Sequence, residues 1–218
     1  MTMAAKNILV FGDSIAWGAW DSEGGWAARL RKGLDAHAIA QGFDAQPKRY
    51  VYGLGIPGDD TRSIRARFDA EMSARVDDGE ATVIMLAVGV NDSQYEIATR
   101  EHRTLPNEFR DNLVALFAQS RGTASHCACV GLLPVEDEKL NPMPWKPSHA
   151  YALEYVQQYD ALVRESCAEE GVAYIPLMEE FMQGTWQQLL VDGIHPNSEG
   201  HALIAEILQR ELLSLGML

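Results

Sequence analysis

The 218-residue sequence predicts an α/β protein whose parallel sheet is covered by helices on both faces. Two observations carry that prediction. Short runs such as ILVF (8–11) and VIMLAV (83–88) are apolar throughout and lack polar alternation, so both of their faces must be covered. Between such runs lie segments with apolar residues at helical spacing, and strands alternating with helices build parallel sheets. No internal repeat, charge tract or low-complexity linker breaks the pattern, so residues 1–218 are expected to form one domain.

The strand candidates are 6–11, 49–52, 82–88, 126–133 and 172–175, each short, apolar and rich in β-formers. Ile64, Phe68, Met72 and Val76 stand at strict i, i+4 spacing and mark the clearest helix. Phe109, Leu113, Leu116 and Phe117 make a second stripe, and Leu153, Val156, Val163 and Cys167 a rougher third. The last helix carries Leu203, Ile207, Leu208, Leu212 and Leu215, with Asn197 or Ser198 as its N-cap. One segment departs from the pattern: 134–148 (PVEDEKLNPMPWKPS) is Pro-rich and longer than a connector needs to be, as a lid or pocket wall would be.

Composition narrows the class of partner. Apolar residues make up 47% and charged residues 22% of the chain, ordinary for a soluble globular protein. The net charge of −13 disfavours nucleic acid and anionic lipid, because both reward a basic patch. No window is apolar enough to span a bilayer, and MTMAAKNILV offers no cleavable apolar region, so a cytoplasmic protein without stable membrane association is expected. Cys127, Cys129 and Cys167 are odd in number, and two on one strand point the same way, which suits buried free thiols better than a bridge.

In open α/β sheets, ligands sit beyond the carboxyl ends of the strands, near the point where strand order reverses. The residues there are Gly12-Asp13-Ser14, the glycine-rich 53–60 (GLGIPGDD), Gly89-Val-Asn91-Asp92, and Asp192-Gly-Ile-His195 ahead of the last helix. Taken singly, each has an ordinary reading. Ser14 reads as a helix cap, Gly53, Gly55 and Gly58 as turn glycines, Asn91 as a turn residue and His195 as a loop histidine. A dinucleotide site is disfavoured, since Pro57 and the Asp59-Asp60 pair stand where a pyrophosphate would need a helix N-terminus.

Together they make a chemical proposition. A serine hydroxyl attacks an ester at neutral pH only with a base to take its proton. His195 supplies one, and Asp192, three residues earlier, can accept the other imidazole N–H and fix the tautomer. Attack builds charge on the carbonyl oxygen, which the N–H groups of Ser14 and Gly58 and the side-chain amide of Asn91 can meet. Gly58 lets that oxygen approach, and Asn91 donates without adding charge.

These blocks resemble the SGNH (GDSL-type) esterases and acylhydrolases: Gly12-Asp13-Ser14, Gly58 in 55–59 (GIPGD), Asn91 in 89–92 (GVND), and Asp192-x-x-His195, in order along nearly the whole chain. The resemblance implies a flavodoxin-like three-layer α/β/α sandwich with a five-stranded parallel sheet. It implies hydrolysis of an acyl ester or thioester through a seryl-acyl intermediate: Ser14 as nucleophile, His195 as base, Asp192 as its orienter, and Ser14, Gly58 and Asn91 as oxyanion hole. It implies no cofactor and no metal, and the sequence has neither H-E-x-x-H nor clustered ligand spacing. Ile15 stands where the usual block has Leu, and Gly53 where the second block commonly opens with Asn, which removes one support from the Gly58 loop.

Trp17, three residues past Ser14 on a helix's first turn, reads by itself as a core residue. It also looks like the arylesterase branch of that family, a hint toward small or aryl acyl esters. Trp17, Asp92, Trp145 and Ile194 are candidate pocket residues by neighbourhood. Thioesterase, lysophospholipase and carbohydrate acetylesterase activities share the same constellation. A catalytically idle binding module and a flavodoxin-like phosphate or nucleotide binder are the readings from other classes. The first leaves Asp192 and His195 without purpose, and the acidic loops oppose the second.

Overall fold

The computed structural model describes residues 7–42, 49–77 and 79–218. Lys6, expected to open the first strand, lies outside them. Five strands form one sheet: β1 (Asn7–Gly12), β2 (Tyr50–Gly55), β3 (Thr82–Ala87), β4 (His126–Val130) and β5 (Ala173–Ile175). Their order is β2-β1-β3-β4-β5, and every pairing is parallel. This is the five-stranded α/β/α architecture that the sequence predicts.

The strands are apolar throughout because the sheet is covered twice. Leu9 and Phe11 of β1 join Ile84 and Leu86 of β3 on one face, while Ile8 and Val10 join Val83 and Met85 on the other. The first face is closed by α3 (Thr61–Ser73), α4 (Pro106–Arg121) and α5 (Leu153–Glu170). The second is closed by α2 (Gly25–Gln41) and α6 (Ser198–Ser214). A single turn, α1 (Ser14–Trp17), links β1 to the α2 side. Alternation along each strand thus feeds two cores instead of one core and solvent.

Several boundaries differ from expectation. β2 runs on to Gly55 instead of stopping at Tyr52, and β4 stops at Val130, short of 133. Val76 lies past the end of α3, although it still packs on the core, and Leu215 is the exposed C-cap of α6. Asn197 caps α6, its side chain accepting the Gly200 N–H at 3.0 Å. α2 has no counterpart among the sequence stripes. Only Gly25, Trp26, Ala27 and Leu30 of its residues are buried, so its apolar face is confined to its first turns.

The segment 134–148 is no bare connector. It forms one helical turn at Asp137–Leu140, sinks Val135, Leu140 and Met143 into the first core, and leads into a two-stranded antiparallel ribbon of His149–Ala150 with Tyr95–Glu96. Among the described residues no helix is long and apolar enough to cross a membrane. The three cysteines are free, Cys129 and Cys167 buried and Cys127 half-buried.

Candidate active site

β1 and β3 flank the point where the strand order reverses, and their ends are in register: Gly12 lies opposite Gly55 on one side and Ala87 on the other. The loops after β1, β2 and β3 therefore leave the sheet together. Gly12 is required there. A Cβ on it would meet Ala16 Cβ at 2.5 Å and the Ala87 carbonyl at 2.6 Å, so no side chain fits where the chain turns from strand to helix.

The turn presents Ser14 upward and Asp13 inward. The N-cap of α1 is Asp13, not Ser14: its Oδ1 accepts the Ile15 N–H at 2.9 Å. Asp13 is almost wholly buried, and that burial raises its carboxyl to about 6 against the lowering pull of the Ile15 hydrogen bond. With the cap supplied by its neighbour, the Ser14 hydroxyl is free to point elsewhere. Its Oγ lies 2.8 Å from His195 Nε2.

His195 arrives from the loop before α6. Its Nδ1 lies 2.7 Å from Asp192 Oδ2, and an N–H there leaves Nε2 as the acceptor for the Ser14 hydroxyl. Asp192 Oδ1 also takes the backbone N–H groups of His195 at 2.9 Å and Ile194 at 3.2 Å. Burial opposes ionisation of Asp192, but these bonds from the imidazole and the backbone outweigh it and hold the carboxyl well below the ordinary carboxylate range. The row runs unbroken from carboxylate to imidazole to hydroxyl.

The two remaining loops are tied to each other. Gly58 has φ of +86°, a left-handed conformation suited to glycine, and the space beside its Cα is open. Its carbonyl accepts from Arg103 Nη2 at 3.0 Å. The next residue, Asp59, offers its carbonyl to Asn91 Nδ2 at 2.9 Å and its carboxylate to Arg67 Nε at 2.9 Å. Asp60 caps α3 through the Ser63 N–H and receives Arg103 Nε at 3.0 Å. With Gly53 in place of an asparagine, Arg103, Arg67 and Asn91 hold the loop. The paired carboxylates at 59 and 60 are thereby matched by cations.

Asn91 is buried, and its amide has a fixed sense. Oδ1 accepts from the Tyr151 hydroxyl at 2.8 Å, and that hydroxyl in turn accepts from Gln94 Nε2 at 2.9 Å. Nδ2 therefore carries the two N–H donors, one given to Asp59 and one left over. Sequence reading missed Tyr151, which looks like any apolar residue at the start of a helix.

It also missed Trp20, whose indole Nε1 donates to Asp192 Oδ2 at 3.1 Å and whose ring stands edge-on to His195, with centroids 6.1 Å apart. The only available signal was an aromatic close after the nucleophile block, and the sequence offered two of them.

The candidate pocket residues fare differently. Asp92 is wholly buried, and its carboxylate receives the Thr61 hydroxyl at 2.6 Å and the Thr61 N–H. It braces the start of α3 and does not line a wall. Ile194 is buried in the first core. Trp17 is exposed and borders a shallow depression with Ala27, Arg31, Val51 and Gly53, on the α2 side. Trp145 is exposed on the 134–148 segment. Among the described residues no group of three His, Cys, Asp or Glu side chains gathers as a metal-ligand set.

Comparison with solved structures finds the same fold. An acetylxylan esterase from Geobacillus stearothermophilus superposes with a TM-score of 0.71 at 19% identity, over 97% of this chain and 96% of that one. Two further structures of that esterase are catalytic mutants, one with a histidine and one with a serine replaced by alanine. A lipase/acylhydrolase from Enterococcus faecalis gives 0.72 at 20% identity over 96% of each chain. An alpha/beta hydrolase from the Lake Arreo metagenome gives 0.70 at 22% identity over 100% and 98%. No curated protein sequence matches the chain. The sequence matches the GDSL-like Lipase/Acylhydrolase family over residues 10–203, a span that holds Ser14, Gly58, Asn91, Asp192 and His195. The chain belongs to that family and is, by that membership, an ester hydrolase.

Proposed function

We propose that the protein hydrolyses small acyl esters, acetates foremost, through a seryl-acyl intermediate on Ser14. One observation carries the reading: the unbroken row from Ser14 Oγ to His195 Nε2 at 2.8 Å and from His195 Nδ1 to Asp192 Oδ2 at 2.7 Å. In the first half-reaction Ser14 Oγ bonds to the ester carbonyl carbon while its proton passes to His195 Nε2. The carbonyl oxygen takes the electron pair and is met by the N–H groups of Ser14 and Gly58 and the spare N–H of Asn91 Nδ2. Collapse breaks the bond to the alcohol oxygen, which leaves with the proton from Nε2. Water then enters by the same path in reverse, and the acid departs from Ser14.

The electrostatics support these assignments. Asp192 is held ionised well below neutrality, so it pairs with the imidazolium as that charge forms. Asp192 should therefore add no limb of its own to the pH dependence of the rate near neutrality. A small acyl group is favoured by the acetylxylan esterase among the similar folds, and acetylated sugars are its natural extension. Trp17 no longer argues for aryl esters, since it faces the α2 side.

The test is a panel of p-nitrophenyl esters from acetate to octanoate, run beside acetylated xylo-oligosaccharides and acyl-CoA on the full chain. Acetate should turn over fastest, and Ser14→Ala should lose about three orders of magnitude or more in kcat. A chain inert on every ester, or a Ser14→Ala protein as fast as its parent, would overturn the assignment.

A further inference from the structure

Trp20 combines three properties that seldom occur together. It is 64% exposed, its backbone has φ of 65°, and its indole N–H donates to the carboxylate that also holds His195. A bulky residue in the left-handed region is an outlier, and glycine or asparagine would sit there at less cost. Exposure means that burial of the ring does not repay that cost.

The backbone on either side is clamped. The Ala19 carbonyl accepts from His201 Nε2 at 3.1 Å. Asp21 is held by Arg29 at 2.9 and 3.0 Å and by the Ser198 hydroxyl at 2.6 Å. Both clamps tie this loop to α6, the helix that follows His195. The strained residue is thus fixed in the frame that carries the imidazole, and its side chain is aimed at Asp192.

We infer that Trp20 is a positioning residue: its indole N–H holds Asp192 Oδ2 in the plane that receives His195 Nδ1, and it shares that oxygen with the imidazole. This rests on the catalytic reading of Ser14, His195 and Asp192. Oδ1 is fixed by two backbone N–H groups, whereas among the described residues Oδ2 receives only the imidazole and Trp20. Without the indole the carboxylate keeps its charge but loses one of the two donors on the reacting side. It then grips a protonated imidazole more tightly, because less of its charge is drawn off. The rate should fall because Oδ2 is no longer held toward His195 Nδ1. The stronger pull of the carboxylate should move the acid limb of the pH–rate profile to higher pH. Asp13 and His201 are the other titratable groups that interact electrostatically with the imidazole, and neither hydrogen-bonds to the Trp20 side chain.

The experiment compares full-length wild type, Trp20→Phe and Trp20→Gly on p-nitrophenyl acetate across pH, with Tm recorded for each. Trp20→Phe keeps a ring edge-on to His195 and removes only the donor. Its kcat should fall roughly three- to tenfold with KM within about twofold of wild type, and its acid limb should shift upward. Trp20→Gly should lose at least as much kcat while its Tm holds or rises, because glycine is at ease at that φ. Wild-type rates and profiles in both variants would overturn the inference. So would an effect on KM alone, which marks a substrate wall, or a Tm that falls in step with the rate, which marks a structural residue. A wild-type protein with no Ser14-dependent hydrolysis would remove the catalytic reading itself, a result distinct from active wild type with indifferent Trp20 variants.

Discussion

At the scale of single residues, the site divides into groups that chemistry demands and groups that only folding reveals. A serine nucleophile needs a base, the base needs an orienter, and the carbonyl oxygen needs uncharged donors. Residue type and position were therefore enough to put forward Ser14, His195, Asp192, Gly58 and Asn91 for the proposed roles. They were not enough for Tyr151 and Trp20, because each touches the site through one hydrogen bond across a large sequence separation. Asp92 was misplaced for a related reason: it follows Asn91 directly, but its side chain turns inward to Thr61. Tyr151 carries a prediction of its own. Its hydroxyl fixes which end of the Asn91 amide carries the donors, so Tyr151→Phe should lower kcat by about tenfold with little change in KM. Steady-state kinetics on p-nitrophenyl acetate reads this directly, and an unchanged kcat would show that Asp59 alone orients the amide.

At the scale of elements, legibility followed the length of the apolar stripe. α4 was plain because Phe109, Leu113, Leu116 and Phe117 are all wholly buried. α2 was invisible because its buried residues end at Leu30 while the helix runs to Gln41. Strand ends were misjudged where glycine extends the ladder, as at Gly53 and Gly55 of β2. The loop joining α1 to α2 depends on α6 through His201, which is buried, donates from Nε2 to Ala19 and accepts the Trp26 N–H on Nδ1. Burial comes first among the causes that hold this imidazole below the ordinary histidine range, and a proton on Nδ1 would face a donor. A depressed folded value means that the stabilisation is complete above the unfolded histidine range and is lost as pH falls through the folded one. Wild type should thus lose stability to His201→Gln as pH drops from about 7.5 to 5. Denaturant titrations at both pH values measure the gap, and a pH-independent gap would show that His201 does not titrate on unfolding.

At the scale of the whole molecule, the sheet order β2-β1-β3-β4-β5 explains how distant residues share one rim. β1 sits inside the sheet with β2 and β3 on either side, so the loops bearing Ser14, Gly58 and Asn91 emerge side by side. The segment before α6 brings His195 to within 2.8 Å of a hydroxyl 181 residues earlier. The apolar, unalternating strands made this architecture readable, since only a doubly covered parallel sheet buries such runs. The meeting of hydroxyl and imidazole across the chain is the central claim, and covalent labelling tests it most directly. A fluorophosphonate probe, with the modified peptide located by mass spectrometry, should attach to Ser14 in the wild-type protein and label His195→Ala far more slowly. Labelling at another residue, or equal rates in wild type and His195→Ala, would contradict the account.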